Sequence, residues 1–145
     1  MLTARAASFK NALATRVVVA DGAMGTMLQE ADLTLDDFEN LEGCNEILNV
    51  TRPDVVESVH DRYFEVGVDC VETNTFGANW SNLSDYGIDD RITELAEAGA
   101  VIARRSADKH TAADGRERWV LGSMGPGTKL PSLGHTTYAH LKDTF

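Results

Sequence analysis

The sequence is short of basic residues, and this shortage limits the partners that it can have. Thirteen lysines and arginines stand against 23 aspartates and glutamates, which gives a formal net charge of −10. The basic residues form no cluster larger than two pairs, Arg104 with Arg105 and Arg116 with Arg118. Because nucleic acids are bound through many phosphate contacts to lysine and arginine, we predict no nucleic-acid partner.

Long hydrophobic runs are also missing. No stretch approaches the roughly 18 consecutive apolar residues of a membrane span, and residues 1–5 lack the continuous apolar region of a secretory signal. The sequence therefore predicts a cytoplasmic protein with no membrane partner. Its 145 residues are 43% hydrophobic and free of low-complexity segments, which predicts one domain over residues 1–145 and no second domain.

Cysteine is scarce, and metal-binding patterns are weak. Cys44 and Cys70 lie 26 positions apart without a Cys-x-x-Cys motif, which favours reduced thiols over a disulfide framework. Two other pairs of polar residues have spacings that favour a solvated surface over a metal site: Asp36 with Asp37, and His135 with His140.

A glycine-rich turn near the N-terminus is the most informative stretch. Residues 17–20 are apolar and β-branched, so they predict a buried strand that ends at an acid. The turn itself reads Asp21, Gly22, Ala23, Met24, Gly25, Thr26. Glycines let backbone N–H groups approach a carboxylate or phosphate, and Asp21 is suited to an ammonium or hydroxyl group. An α-amino acid carries both charges, although a plain strand-to-loop turn with an exposed Asp21 explains the same residues.

Three helices are predicted around the strands. The first has an apolar stripe and is expected to close one end of the fold: Leu2, Ala6, Phe9, Leu13. The second begins with Thr51 as its cap and Pro53 in its first turn, and it stops at Gly67. His60 falls one position off the apolar stripe of this helix, so we predict a surface position for it. The third helix runs from about residue 89 to about residue 108.

Residues 68–75 change character half-way along. The first half predicts a second buried strand, and the second half is a run of polar side chains: Glu72, Thr73, Asn74, Thr75. Burying a polar group costs free energy unless the group is hydrogen-bonded, so polar side chains at the exit of a buried strand are expected to share a polar pocket. Glu72 is suited to an ammonium group and the other three to a carboxylate, although turn capping by Asn74 and the threonines remains open.

A third strand is predicted from Trp119, and it leads into a second glycine-rich exit at residues 125–128. The strands alternate with helices, which is a βαβαβ pattern and predicts an α/β fold with a parallel sheet. Since the carboxyl ends of parallel strands meet at one edge, Asp21, Glu72 and Gly125 are expected to face one cavity.

Four motifs in order carry a family resemblance: residues 21–29 (DGAMGTMLQ), 49–56 (NVTRPDVV), 72–77 (ETNTFG) and 122–126 (GSMGP). Together they resemble the homocysteine S-methyltransferase family, and within it the start of the homocysteine-binding domain of cobalamin-dependent methionine synthases. The resemblance implies a (β/α)8 TIM-type barrel, truncated here after about three strands. It further implies that homocysteine binds at the barrel mouth, that zinc activates its thiol, and that methylcobalamin in another domain supplies the methyl group.

The resemblance also assigns roles to residues. Asp21 matches the family's acid near the homocysteine amino group. The substrate-binding turn is matched by Gly22, Met24, Gly25 and Thr26, and the polar strand exit by Glu72, Thr73, Asn74 and Thr75. The implied partners are homocysteine, the rest of the barrel, and the folate, cobalamin and activation domains of a parent enzyme.

The sequence departs from the family at the metal. The family's zinc ligands are cysteines on late barrel strands, and neither Cys44 nor Cys70 matches them. We therefore predict that zinc ligands lie beyond residue 145, that no cofactor binds this chain, and that the chain alone is an inactive fragment. Unpaired sheet edges predict self-association, strand exchange or marginal stability.

Two alternatives remain open at this stage. One is a relative with the same transfer chemistry but another methyl donor. The other is a self-contained, non-catalytic α/β module that binds an amino acid or a small anion.

Overall fold

The computed structural model of the chain describes residues 3–144. Leu2, the first member of the predicted apolar stripe, lies outside the described residues. The α-helices are α1 (Ala4–Thr15), α2 (Met24–Gln29), α3 (Leu48–Thr51), α4 (Pro53–Glu65), α5 (Trp80–Leu83), α6 (Ile92–Asp114) and α7 (Tyr138–Thr144). The strands are β1 (Cys70–Glu72) and β2 (Trp119–Leu121), and short 3₁₀ turns cover Asn45–Ile47, Ser84–Tyr86, Asp89–Arg91 and Pro131–Leu133.

The sheet is parallel, as the sequence predicts. β1 pairs with β2 in the register Cys70 to Trp119, and residues 17–21 run along the other side of β1 through one parallel bridge from Ala20 to Cys70. The prediction of a buried strand at residues 17–20 is wrong, because Val17 is 82% exposed and Val19 is 51% exposed. Within the described chain this segment has a neighbour on one side only, so its side chains keep contact with solvent.

Helix α1 covers the end of the sheet where β2 begins. The ring of Phe9 packs against Trp119 with centroids 5.5 Å apart, and the indole N–H of Trp119 donates to Ser8 at 2.9 Å. The predicted helix is confirmed, but Leu13 is 54% exposed and lies outside the packed face.

Helix α4 begins at Pro53, where a missing N–H costs nothing, and Gly67 follows it with a φ of 100°. Thr51 is not its cap, because the Thr51 hydroxyl donates to the carbonyl of Ile47, the residue before α3, at 3.1 Å. His60 is fully buried, so the predicted surface position is wrong. It lies one turn from Val56 and one turn from Phe64, which are both buried, so the packed face is wider than its aliphatic residues indicate.

Helix α6 packs along α4 and is longer than predicted. It continues past residue 108 to Asp114 and ends at Gly115, whose φ is 76°. The additional turns lie beside Asp61 of α4, which accepts from Ser106 at 2.6 Å and pairs with Lys109 at 2.6 Å and His110 at 3.0 Å. Asp61 therefore stabilises the first of the additional residues, Lys109 and His110.

The core has two main parts. The larger one joins α3, α4 and α6, with Ile47, Leu48, Val56, Val59 and Leu95 buried in it. A second cluster packs the helices on the sheet through Phe64, Val68, Val71, Ala103 and Ala107. Among residues 3–144, no helix combines the length and the apolar character needed to cross a membrane.

Candidate functional site

A cavity of about 300 Å³ opens where residues 17–21 and β1 end. Its walls are formed by Asp21, Gly22, Met24, Gly25, Asn45, Glu46, Glu72, Thr73, Asn74, Phe76 and Ser123. The structure therefore brings together seven of the nine residues predicted to bind substrate, and leaves Thr26 and Thr75 outside this lining. Whether these residues bind a substrate stays a prediction. The prediction that Gly125 faces the same cavity as Asp21 and Glu72 is wrong, because Gly125 lines a neighbouring cavity of about 340 Å³.

Asp21 and Glu72 are joined through the backbone. The N–H of Glu72 donates to both carboxylate oxygens of Asp21, at 3.0 and 3.1 Å. Burial raises the pKa of Asp21 to about 6, and the neighbouring charge of Glu72 adds to the rise while the backbone N–H opposes it. Asp21 is therefore ionised at neutral pH, and a cation in the cavity would relieve the cost of that charge.

Hydroxyl groups link the ends of β1 and β2. Ser123 donates from its side chain to Glu72 at 2.9 Å and from its backbone to the hydroxyl of Thr73 at 3.0 Å. The Thr75 hydroxyl donates to the Ser123 carbonyl at 2.8 Å and lies 2.6 Å from the Thr73 hydroxyl. The hydroxyl of Thr75 is used in these bonds. Thr75 lines the neighbouring cavity of about 340 Å³ and not the candidate site.

Asn74 is 5% exposed and ties the cavity floor to the helices. Its amide donates to the carbonyl of Asn45 at 2.8 Å and to the side chain of Asn49 at 3.0 Å. Asn49 returns a bond to the Asn74 carbonyl at 2.8 Å and another to the Leu95 carbonyl at 3.0 Å. The Asn74 side chain is thus committed to holding the strand exit in place.

The glycine turn is supported from helix α4. The hydroxyl of Tyr63 donates to the carbonyl of Ala23 at 3.1 Å. Gly22 and Gly25 line the cavity, and a side chain added at Gly25 would stand 3.6 Å from the amide of Asn45. Thr26 is exposed on α2, away from the cavity lining.

Four lining residues were missed by the sequence reasoning: Asn45, Glu46, Phe76 and Ser123. Glu46 is the most telling, because it is only 9% exposed and its carboxylate accepts the Gly77 N–H at 2.7 Å. A sequence signal was present, since Glu46 directly precedes the apolar pair Ile47 and Leu48, with which it is buried. A buried acid needs a hydrogen-bond partner.

The described residues do not fit a zinc centre. Burial raises the pKa of the Cys44 thiol and raises that of Cys70 to about 11, so without a bound metal both are neutral thiols. The nearest polar contacts are the Glu46 carboxylate, 4.0 Å from Cys44, and the Val19 carbonyl, 3.7 Å from Cys70. Residues 3–144 contain no group of three histidine, cysteine or acidic side chains arranged to hold a metal ion.

The sequence of the chain is similar to the sequences of a known protein family. The sequence profile described as homocysteine S-methyltransferase matches residues 18–145. Methionine synthases of Mycobacterium leprae and Mycobacterium tuberculosis are each 66% identical over 133 residues, which cover 92% of this chain and 11% of each relative. The chain thus spans about a tenth of these relatives.

Solved structures agree at the level of the fold. The metallated form of the homocysteine methyltransferase MmuM from Escherichia coli matches with a TM-score of 0.67 and 21% identity, over 93% of this chain and 43% of that one. Its oxidised form matches with a TM-score of 0.67 and 22% identity, over 81% of this chain and 40% of that one. The chain therefore belongs to the homocysteine S-methyltransferase family.

Proposed function

We propose that residues 1–145 form the N-terminal portion of a homocysteine-binding (β/α)8 barrel in a methionine synthase. The parallel order of residues 17–21, β1 and β2 is what the first three strands of such a barrel require. The identity of 66% to two methionine synthases supports the parent activity. The cavity then lies at the carboxyl ends of the strands, which is where such barrels bind their substrates.

The chemistry of the cavity suits the amino end of homocysteine. Asp21, Glu46 and Glu72 supply three carboxylates, and no lysine or arginine is present among the described residues that line it. An ammonium group is attracted to such a site, whereas an isolated anion is repelled. A volume of about 300 Å³ is at the small end of ligand pockets and fits a single amino acid better than a larger molecule.

This chain binds and orients the substrate in our proposal, and the remaining steps belong to other parts of the parent. Zinc ligands are placed beyond residue 145, and methylcobalamin and 5-methyltetrahydrofolate on other domains. The 145-residue chain alone is therefore proposed to be inactive. The carboxylates of Asp21 and Glu72, gathered at one rim of a parallel sheet in a member of this family, are the observation on which the proposal depends.

The test compares this chain with a form extended by about 200 residues, enough to complete a barrel. Both are titrated calorimetrically with homocysteine and with 4-sulfanylbutanoate, which lacks the amino group. We expect the longer form to bind homocysteine at least tenfold more tightly than the analogue, and to bind zinc stoichiometrically. Stoichiometric thiolate-bound zinc in the shorter form, or equal affinity for both thiols, would contradict the proposal.

The same titration distinguishes the proposed function from the non-catalytic alternative. A self-contained amino-acid module predicts tight homocysteine binding by the 145-residue chain without zinc. A small-anion module predicts binding of inorganic phosphate, against which the three carboxylates of the cavity argue.

A further inference from the structure

Glu46 is a buried acid whose carboxylate is bound to the backbone of a distant turn. It lies in the 3₁₀ turn Asn45–Ile47 and is 9% exposed. One carboxylate oxygen accepts the Gly77 N–H at 2.7 Å. This bond joins the turn at Gly77 to the 3₁₀ turn that carries Glu46, so Glu46 fixes the position of this peptide.

The same peptide is held from its other side. The carbonyl of Phe76 accepts the N–H of Gly125 at 3.0 Å. Both contacts need the absence of a side chain, because an added Cβ would lie 2.8 Å from the Glu46 carboxylate at Gly77 and 2.4 Å from the Phe76 carbonyl at Gly125. The peptide between Phe76 and Gly77 is therefore fixed at both its N–H and its C=O.

Phe76 is the group that this fixed peptide presents. Its side chain belongs to the lining of the candidate homocysteine cavity and of the neighbouring 340 Å³ cavity. The residue is 59% exposed, and its ring lies against Gly125, where an added Cβ would stand 2.8 Å from two ring carbons. The position of the ring therefore depends on the two turns that meet at the Phe76–Gly77 peptide, and Glu46 holds one of them.

We propose that Glu46 is a positioning residue for homocysteine binding: it fixes the Phe76–Gly77 peptide and so sets the apolar wall of the cavity. This inference rests on the proposed function. It differs from a direct contact between the Glu46 charge and the substrate ammonium, because the role requires a hydrogen-bond acceptor and no negative charge.

Three substitutions separate the two roles. Glu46→Gln keeps an oxygen that accepts the Gly77 N–H but removes the charge, and Glu46→Ala removes both. Gly77→Ala disturbs the same bond from the other side, and φ at Gly77 is not in the left-handed region, so the backbone tolerates alanine. The control is Glu97→Ala, since Glu97 is exposed on α6 and outside the cavity lining.

The first measurement is hydrogen exchange at the Gly77 amide in this chain. We expect exchange to be about tenfold faster in Glu46→Ala and little changed in Glu46→Gln and in the control, in line with the loss of one hydrogen bond. Unchanged exchange in Glu46→Ala would overturn the inference without touching the proposed function.

The second measurement is steady-state kinetics in the longer enzyme. We expect the KM for homocysteine to rise about tenfold in Glu46→Ala and Gly77→Ala, with kcat within about twofold of the unsubstituted enzyme, and Glu46→Gln to retain a near-normal KM. A Gln variant as impaired as the Ala variant would overturn the positioning role in favour of direct charge contact. An unsubstituted enzyme that does not bind homocysteine refutes the proposed function, while the exchange data still decide whether Glu46 holds the turn. If Glu46→Ala does not fold, Gly77→Ala carries the kinetic test.

Discussion

Asp21 accepts the backbone N–H of Glu72 with both carboxylate oxygens, at 3.0 and 3.1 Å. This pairing joins the end of the first extended segment to the end of β1. It also places two acids at the rim of one cavity and brings Asp21 into surroundings that raise its pKa to about 6. If the cavity binds a cationic ligand as proposed, its affinity depends on pH through Asp21.

The first prediction concerns that pH dependence. Asp21 loses its charge as the pH falls through about 6, while the ammonium group of homocysteine stays charged. We expect homocysteine affinity in the longer enzyme to fall by up to about tenfold per pH unit below pH 6. Calorimetric titration between pH 5 and pH 8 measures it. In Asp21→Asn the affinity should be low and flat across this range, and a sloping profile in that variant would assign the titration to another group.

The second prediction concerns His60. Burial lowers its pKa to about 4, and neither ring nitrogen has a hydrogen-bond partner. The unfolded chain therefore binds a proton between pH 6.5 and pH 4 that the folded chain does not, and stability contributed by His60 is lost as the pH falls through this window. Asp21 acts in the opposite sense, because its raised pKa lets the folded chain hold a proton between pH 4 and pH 6.

Replacing His60 with leucine should remove the acid sensitivity. The substitution fills the space between Val56 and Phe64 and deletes two unpartnered buried nitrogens. We expect a gain on the order of 2 kcal/mol in the free energy of unfolding at pH 5 and a smaller change at pH 8. Urea unfolding at the two pH values measures this. An equal change at both would show that packing, and not protonation, dominates.

The third prediction concerns the clamp on the first extended segment. Asp69 is 4% exposed, receives both guanidinium nitrogens of Arg16 at 2.9 Å, and accepts the Val19 N–H at 2.9 Å. We expect Asp69→Ala to cost about 2 kcal/mol, since it leaves the Val19 N–H without its acceptor, while the half-exposed Arg16 side chain returns to solvent. Arg5→Ala is the matched control: Arg5 pairs with Asp108 and both are exposed, so it should cost less than about 1 kcal/mol.

The pH dependence of that clamp has a defined sign. The hydrogen bonds and charge of Arg16 lower the pKa of Asp69 to about 2. Its contribution to stability is therefore present above the ordinary aspartate value and is lost as the pH falls toward 2. Chemical denaturation at pH 7 and pH 3 should show a larger difference between Asp69→Ala and the parent at the higher pH.

The fourth prediction concerns the exposed edge. Val17 and Val19 are apolar and solvent-exposed. They belong to the segment of residues 17–21, which pairs on one side only in the described chain. We expect the 145-residue chain to self-associate at micromolar concentrations and Val17→Lys to reduce this. Sedimentation velocity measures it. Association that persists unchanged in Val17→Lys would move the contact to another surface.

Local patterns were enough to predict the parallel arrangement and the meeting of Asp21 with Glu72. Pro53 and Gly67 mark the two ends of α4 because their backbone preferences act without tertiary context. Residues 17–20 were misread because burial of a strand depends on neighbours that local sequence does not describe.

The other predictions failed because the residues concerned contact partners that the sequence pattern did not indicate, most of them distant in the sequence. Thr51 has the chemistry of a cap, but the carbonyl of Ile47, the residue before α3, takes its hydroxyl. His60 is buried because α6 packs on α4, and Glu46 matters because its partner Gly77 is 31 positions away. Such pairings become visible only when the chain has folded.

The indole of Trp119 lies under α1 with its N–H bonded to Ser8, while Trp80, the other tryptophan, stacks edge-on against His140 beyond the strand exits. The molecule thus carries an intrinsic fluorophore at each end of the sheet. Time-resolved fluorescence of variants that keep only one tryptophan would report separately on the two ends. Trp119 would report on the packing of α1 against the sheet, and Trp80 on changes near the strand exits, without an added dye.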